Sequence, residues 1–146
     1  MTLSTHFTLE ELTFSDTAVR LGIDNNVTDG KVLGNLHVLA AGLEQVRAVL
    51  NAPLHINSGY RCLLLNGAVK GSINSAHMQG LAADFTCRLF GTPLEIVKEV
   101  VKAGIKVDQI IQEGAWVHVS FDPRMRNAVL TAHFDKYGNP TYTSGA

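Results

Sequence analysis

The chain has 146 residues, of which 46% are hydrophobic and 17% charged, and its formal net charge is −1. This composition suits one folded domain and excludes a disordered chain, while the lack of a basic surplus argues against nucleic-acid binding. No stretch approaches the ~18 continuous apolar residues of a membrane-spanning helix. No Lys or Arg precedes Arg20, so we expect a protein made in the cytoplasm without a signal peptide, not inserted into membranes, and monomeric.

Helices are predicted mainly in the first half of the chain. Two short ones open at Thr8 and Ser15, and Gly22 ends the second. A long helix is predicted over 28–50, where apolar residues recur at steps of three and four. A further helix over 93–103 starts with a threonine cap, a proline in the first turn and a T-x-x-E capping box.

Strands are predicted mainly in the second half. A short strand is expected at 54–57, and the runs 107–112 and 116–121 are expected to pair as a hairpin. Another strand is predicted over 131–134, whereas the tail from about residue 137 is rich in Gly, Thr and Ser and is expected to be loose. Helices segregated from a small, mostly antiparallel sheet indicate a single α+β domain spanning residues 1–146.

Two stretches contain residues suited to metal chemistry. In the first, His77 and Asp84 are separated by Gly80, which allows the backbone to turn, and by two small alanines that allow close packing. In the second, His118 alternates with valines along a predicted strand, so its side chain should point to the opposite face from theirs. Two imidazoles and one carboxylate are the ligand set of a catalytic zinc site, with the fourth position left for water. Ordinary core or surface histidines remain the alternative from residue types alone.

Four ordered motifs resemble the zinc D-Ala-D-Ala carboxypeptidases and endopeptidases, in particular their phage endolysin-type branch. They are Ser58-Gly-Tyr-Arg61, then Asn66, then Ser75-x-His77-x-x-Gly80-x-Ala-x-Asp84, and finally Trp116-x-His118. The resemblance implies the Hedgehog/DD-peptidase fold and one Zn²⁺ per chain, held by His77, Asp84 and His118. It further implies hydrolysis of peptidoglycan stem peptides at the cell wall, by an enzyme released from the cytoplasm or carried on a phage particle.

The catalytic base departs from the pattern of the family. Several relatives place an acid three residues before the last histidine, a position held here by Ala115, which cannot accept a proton. The nearest acid is Glu113, five residues before His118, and a turn at Gly114 could bring it toward the metal. Glu113 is therefore the candidate base. A zinc-containing peptidoglycan-binding module without catalytic activity is the alternative function, and a solvated turn glutamate is the alternative role.

Three further side chains are candidates for substrate contacts. The resemblance places Arg61 at the substrate cleft, where a guanidinium can bind a carboxylate or carbonyl; a surface arginine is the alternative. Ser75 could orient substrate or support a metal ligand. Trp116 is a candidate cleft residue, although strand aromatics more often pack in the core.

The two cysteines, Cys62 and Cys87, are too few for a disulfide scaffold or a cysteine-only zinc site. Two free thiols are favoured. A single bridge stays open, because both residues flank the motif that contains His77.

Overall fold

The computed structural model describes all 146 residues. Its helices are α1 (Leu9–Thr13), α2 (Asp16–Leu21), α3 (Gly30–Leu50), α4 (Leu63–Ala68) and α5 (Pro93–Lys102), with a single 3₁₀ turn at Ala76–Gln79. The strands are β1 (His55–Ser58), β2 (Ala82–Thr86), β3 (Gln109–Gln112), β4 (Val117–Ser120), β5 (Ala128–Phe134) and β6 (Pro140–Ser144). They form one sheet in the order β1-β2-β4-β3-β5-β6. This confirms the predicted α+β class.

The helix ends follow the predicted capping residues. The side chains of Thr8, Ser15 and Thr92 each accept a hydrogen bond from a backbone N–H in the first turn of α1, α2 and α5. Gly22 ends α2 in the left-handed conformation, at φ 67°. The long helix begins slightly later than predicted because Asp29, whose side chain accepts from the Lys31 N–H, is its cap.

The sheet has one core face and one open face. Alternate residues such as Phe85, Val117, Val119 and Ile110 are fully buried on the core face. They belong to the same hydrophobic cluster as the apolar stripes of α3 and α5, including Leu36, Leu39, Leu43, Ile96 and Val97. Because side chains alternate along a strand, the residues between them lie on the other face, which is not covered by these helices.

Close contacts fix how the helices meet the sheet. A Cβ on Gly42 of α3 would lie only 2.4 Å from the ring of Phe121, just after β4. A Cβ on Gly59, just after β1, would lie 2.3 Å from the carbonyl oxygen of Leu12 in α1. Both glycines therefore permit close approaches that any side chain would prevent.

The C-terminal tail differs from the expectation of a loose segment. Residues 140–144 form β6, which pairs antiparallel with β5 over five residue pairs, from Leu130–Ser144 to Phe134–Pro140. The β-formers Thr141, Tyr142 and Thr143 explain the strand, and Asp135 closes the turn by accepting from the N–H groups of Tyr137 and Asn139.

Two other features were not predicted. Helix α4 follows Cys62, whose sulfur accepts from the Leu65 N–H at 3.4 Å. Strand β5 pairs parallel with β3, although all other strand pairs are antiparallel. None of the helices is long and apolar enough to cross a membrane.

Candidate metal centre and cleft

The pairing of β2 with β4 places two of the predicted ligands side by side. Asp84 lies directly opposite His118 in this antiparallel pair, and both side chains are on the open face of the sheet. His77 comes from the 3₁₀ turn that leads into β2. That turn ends at Gly80, which has φ 73° and lies against Val32 and Leu36 of α3, so a helix and two strands position the three side chains.

The three side chains converge on one point. The Oδ1 atom of Asp84 lies 3.3 Å from Nε2 of His77 and 3.0 Å from Nδ1 of His118. The two imidazole rings are 5.2 Å apart between centroids and inclined by 61°. One ligand atom from each residue lies within 4.8 Å of the others, which is close enough for a single metal ion to bind all three.

The environment of His77 supports a metal ligand more than a structural histidine. Its Nδ1 lies 2.7 Å from the carbonyl oxygen of Gly59, so Nδ1 carries the proton and donates it there. The lone pair of Nε2 therefore faces Asp84 and His118. Although Nε2 lies within ion-pair distance of Asp84, it is buried without a partner in hydrogen-bonding geometry. A buried acceptor without a donor is unfavourable, and a cation would satisfy it.

Electrostatics favour the metal-binding forms of His77 and Asp84. Burial lowers the pKa of His77, which favours the neutral imidazole over its charged form. Burial by itself would raise the pKa of Asp84, but the interactions with His77 and His118 outweigh it and the pKa is lowered. Neutral imidazole and ionised carboxylate are the protonation states that bind zinc.

Arg61 lies beside this centre and is held by three groups. Its Nη2 is 3.6 Å from Oδ2 of Asp84, its Nη1 donates to Oδ1 of Asn66 at 2.9 Å, and its Nε donates to Ser58 at 3.3 Å. Burial lowers its pKa, while the charges of Asp84 and Glu113 oppose that shift. Arg61 is thus a half-buried cation at the metal centre, and the surface alternative is not what the structure shows.

Asn66 is a supporting residue that the sequence indicated only through its place in a motif. It is 3% exposed, and its amide nitrogen donates to the carbonyl oxygen of Ser72 at 2.9 Å while its oxygen accepts from Arg61. Gly71 lies against this pair, because a Cβ there would be 2.2 Å from Oδ1 of Asn66 and 2.6 Å from Nη1 of Arg61. The contact between these residues orients the guanidinium.

Glu113 lies in the turn between β3 and β4 and lines the cleft that contains the three ligands. Its N–H donates to the carbonyl oxygen of Trp116 at 3.0 Å, which closes the turn. Burial raises its pKa, opposed by the neighbouring His118 and Arg61 and reinforced by the negative charge of Asp84. Ala115 is exposed and does not line the cleft. The acid of this turn that lines the cleft is therefore Glu113.

The cleft around the centre has a volume of about 1130 Å³. Ser75 lines it and also caps the 3₁₀ turn, where its Oγ accepts from the N–H of His77 at 3.2 Å. Trp116 is half-buried and lines it as well. The β5–β6 hairpin contributes Phe134, Tyr137 and Tyr142. None of them was predicted as a cleft residue: Phe134 was expected only to end a strand over 131–134, and the tail from about residue 137 was expected to be loose.

Both cysteines are free. Cys87 is buried in the hydrophobic core, and Cys62 caps α4. The bridge left open by the sequence is not formed in the structure, so the favoured alternative of two thiols is the one observed.

An open set of two histidines and one aspartate, with a half-buried carboxylate and an arginine on the same cleft, is the arrangement of a metal-dependent hydrolase. A protein-family model described as "Peptidase M15" matches residues 5–120. The chain therefore belongs to the peptidase M15 family, whose members are zinc-dependent hydrolases of peptide bonds. A search of curated proteins found no match.

Proposed function

We propose that this protein is a zinc peptidase that hydrolyses stem-peptide bonds of peptidoglycan, as a murein endopeptidase or DD-carboxypeptidase encoded by a phage or prophage. Its site of action would be the cell wall. The observation that carries the proposal is the combination of three convergent ligands with Glu113 and Arg61 on one cleft. Membership of the M15 family supports the chemistry, and the motifs between Ser58 and His118 support the substrate class.

The residues that would hold zinc are His77, Asp84 and His118. When bound, zinc supplies a Lewis acid that polarises a scissile carbonyl and makes water more acidic. The donor set fits it, because the Nε2 of His77 is buried without a hydrogen-bond partner. The proton of Nδ1 is already directed to Gly59, so no rearrangement of this ring is required.

Glu113 would move the proton in hydrolysis. Its carboxylate accepts a proton from the attacking water and donates it to the amine of the leaving group. A raised pKa helps both steps. A carboxylate whose pKa is closer to 7 is a stronger base, and its protonated form can still donate to the leaving amine. The position of Glu113 on the cleft also favours the enzyme over the inactive binding module that Ala115 suggested.

Arg61 would bind the substrate beside the metal. Its guanidinium is fixed by Asn66 and Ser58, so its free N–H groups can donate to a peptide carbonyl or to a terminal carboxylate. Because the arginine is already ordered, little side-chain entropy is lost when the substrate binds.

Digestion of purified sacculi tests the proposed function. The zinc-loaded protein should release free amino groups, a chelator should stop the release, and mass spectrometry of the products should identify the bond. His77→Ala is the control for metal-dependent cleavage. Binding to sacculi without release of amines would instead establish the inactive module, and neither binding nor release would reject peptidoglycan as the target.

Arg61→Ala should reduce kcat/KM by about 10²-fold, the usual effect of removing one charged donor from a substrate carbonyl. Zinc content should stay unchanged, because Arg61 contacts only one carboxylate oxygen of the ligand set. Steady-state kinetics on a stem peptide and metal analysis measure the two effects. Arg88→Ala, an exposed arginine outside the cleft, is the matched control. Unchanged kinetics for Arg61→Ala would show that this residue does not contact the substrate.

Gly71→Ala should raise KM, because the added methyl group must displace the side chains of Asn66 and Arg61. We expect an increase of about tenfold, corresponding to the loss of a charge-assisted hydrogen bond. Gly67→Ala is the control, since a Cβ on this nearby helical glycine meets nothing within 4 Å. Equal kinetics for the two alanine variants would show that the orientation of Arg61 does not depend on this contact.

A further inference from the structure

The open face of the sheet continues from the metal centre onto the C-terminal hairpin. Strand pairing aligns Asp84, His118, Ile111 and Leu130 in one row across β2, β4, β3 and β5. Since side chains alternate, Ala132 and Phe134 lie on the same face of β5 as Leu130. Tyr142 of β6 pairs with Ala132, so its ring is also on the face that carries the metal centre.

The aromatic residues of this hairpin line the cleft while remaining accessible. Phe134 and Tyr142 are 47% and 50% exposed, and both border the same cavity as His118 and Glu113. The edge of Phe134 approaches the turn that carries Glu113, because its Cε2 lies 4.0 Å from a Cβ built on Gly114. Burial and the negative charges of Glu113 and Asp84 raise the pKa of Tyr142, which is consistent with its place on the cleft.

We propose that Phe134 and Tyr142 form a binding subsite for the part of the peptide substrate that extends past the scissile bond toward the hairpin. The inference rests on the proposed peptidase function. It adds two residues that would make the enzyme bind longer peptides more tightly than short ones. The residues that form the subsite lie after residue 120, where the family match ends.

The spacing of the strands sets which part of the substrate is bound. Three strand-to-strand steps separate His118 in β4 from β6, which at ~4.8 Å each amounts to about 14 Å. Strand β5, which carries Phe134, is two steps from β4, or about 10 Å. An extended peptide advances ~3.4 Å per residue, so the rings would contact residues roughly three to four positions from the scissile bond. A minimal dipeptide would be too short to reach them.

The chemistry of the wall suits a neutral peptide segment. The faces of the two rings can pack against alanine methyl groups and peptide planes, and the Tyr142 hydroxyl can donate to a backbone carbonyl. Ala132, which pairs with Tyr142, is small and buried, so no bulky side chain at that position stands between the two rings. Continuity of this wall with the metal centre makes the substrate itself the expected occupant.

Kinetics of Tyr142→Ala on substrates of different length test the subsite. KM for a pentapeptide should rise about tenfold, the usual effect of truncating an aromatic contact residue, whereas kcat/KM for a dipeptide and the zinc content should not change. Tyr142→Phe keeps the ring and should retain pentapeptide binding. Thr143→Ala, on the opposite face of the same strand, is the matched control. Calorimetry of pentapeptide binding to the metal-free protein gives a readout that does not require turnover.

The results separate the subsite from the proposed function. If the wild-type protein cleaves peptides and the kinetics of Tyr142→Ala equal those of Thr143→Ala on peptides of every length, the proposed subsite is wrong. The proposed peptidase function is unaffected by that result. If Tyr142→Ala lowers activity equally on dipeptide and pentapeptide, the residue acts at the reaction centre and the subsite is also wrong. If the zinc-loaded wild-type protein cleaves neither peptide, the proposed function itself fails. Thermal unfolding of each variant confirms that it is folded.

Discussion

Replacing His77 by alanine should reduce the bound zinc from one ion per chain to none after dialysis. The Nε2 atom of this residue is buried without a hydrogen-bond partner and lies 3.3 Å from the carboxylate of Asp84, so its loss removes one of the three ligands. His118→Ala should have the same effect, since its Nδ1 approaches the same oxygen atom. Elemental analysis after dialysis measures the zinc directly.

A second readout does not depend on activity. Zinc that binds only the folded state stabilises it by RT ln(1 + [L]/Kd), about 2.7 kcal/mol at a hundredfold excess over Kd. The melting temperature of the wild-type protein should therefore rise with added zinc, and that of His77→Ala should not. His55→Ala, an exposed histidine in β1 away from the cleft, should behave as wild type. Stoichiometric zinc in both His77→Ala and His118→Ala would contradict the proposed ligand set.

Local signals in the sequence determined most of the helical structure. Thr8, Ser15 and Thr92 are short polar residues ahead of apolar-periodic segments, and each one caps the helix that was expected there. The alternation of Val117 and Val119 around His118 correctly placed the valines in the core and the imidazole on the open face. These features depend on neighbouring residues alone, so pattern reasoning could find them.

Features that depend on distant contacts were missed. The parallel pairing of β3 with β5 is determined by where the chain returns after β4, and no local residue specifies it. The tail was expected to be loose because it is rich in Gly, Thr and Ser, yet Thr141 to Thr143 pair with β5 as a strand. Composition averaged over ten residues concealed a run of three β-formers beside a turn.

The candidate site likewise contains residues that the sequence indicated and contacts that only the structure shows. His77, Asp84 and His118 were found from motif order, and the structure brings them together. The contact of Asn66 with Arg61 and the position of Tyr142 on the cleft could not be read from the sequence. The contact of Asn66 depends on the path of the loop through Ser72. The position of Tyr142 depends on how all six strands are ordered and paired in the sheet. Their roles in binding substrate stay predictions.

Glu113→Gln should lower kcat by about 10²–10⁴-fold, the usual contribution of a general base, while zinc content stays the same. Glutamine keeps the size and hydrogen-bonding capacity of the side chain but cannot accept the proton. Glu99→Gln in α5 is the matched control, a half-buried glutamate outside the cleft.

The same substitution should alter the pH dependence in a defined direction. Glu113 must be ionised to act as a base, and burial raises its pKa above the ordinary value of 4.5. Activity of the parent should therefore fall as the pH drops through a value above 4.5, and this limb should be absent from the residual activity of Glu113→Gln. A raised folded-state pKa also means that the charged form destabilises the fold at neutral pH. The glutamine variant of the metal-free protein should consequently melt at a higher temperature than the parent at pH 7.

A substitution at Ala115 provides the complementary test of which position in this turn must carry the catalytic base. If the parent is active and Glu113→Gln is equally active, Glu113 is not the base, although the zinc ligands are unaffected by that result. If the parent is inactive, Ala115→Glu introduces an acid three residues before His118, the position that the family resemblance suggests for the base. Hydrolysis gained by that variant would identify the present chain as a binding module that lacks its base. Because Ala115 is exposed and outside the cleft whereas Glu113 lines it, we expect the active parent and a large loss in Glu113→Gln.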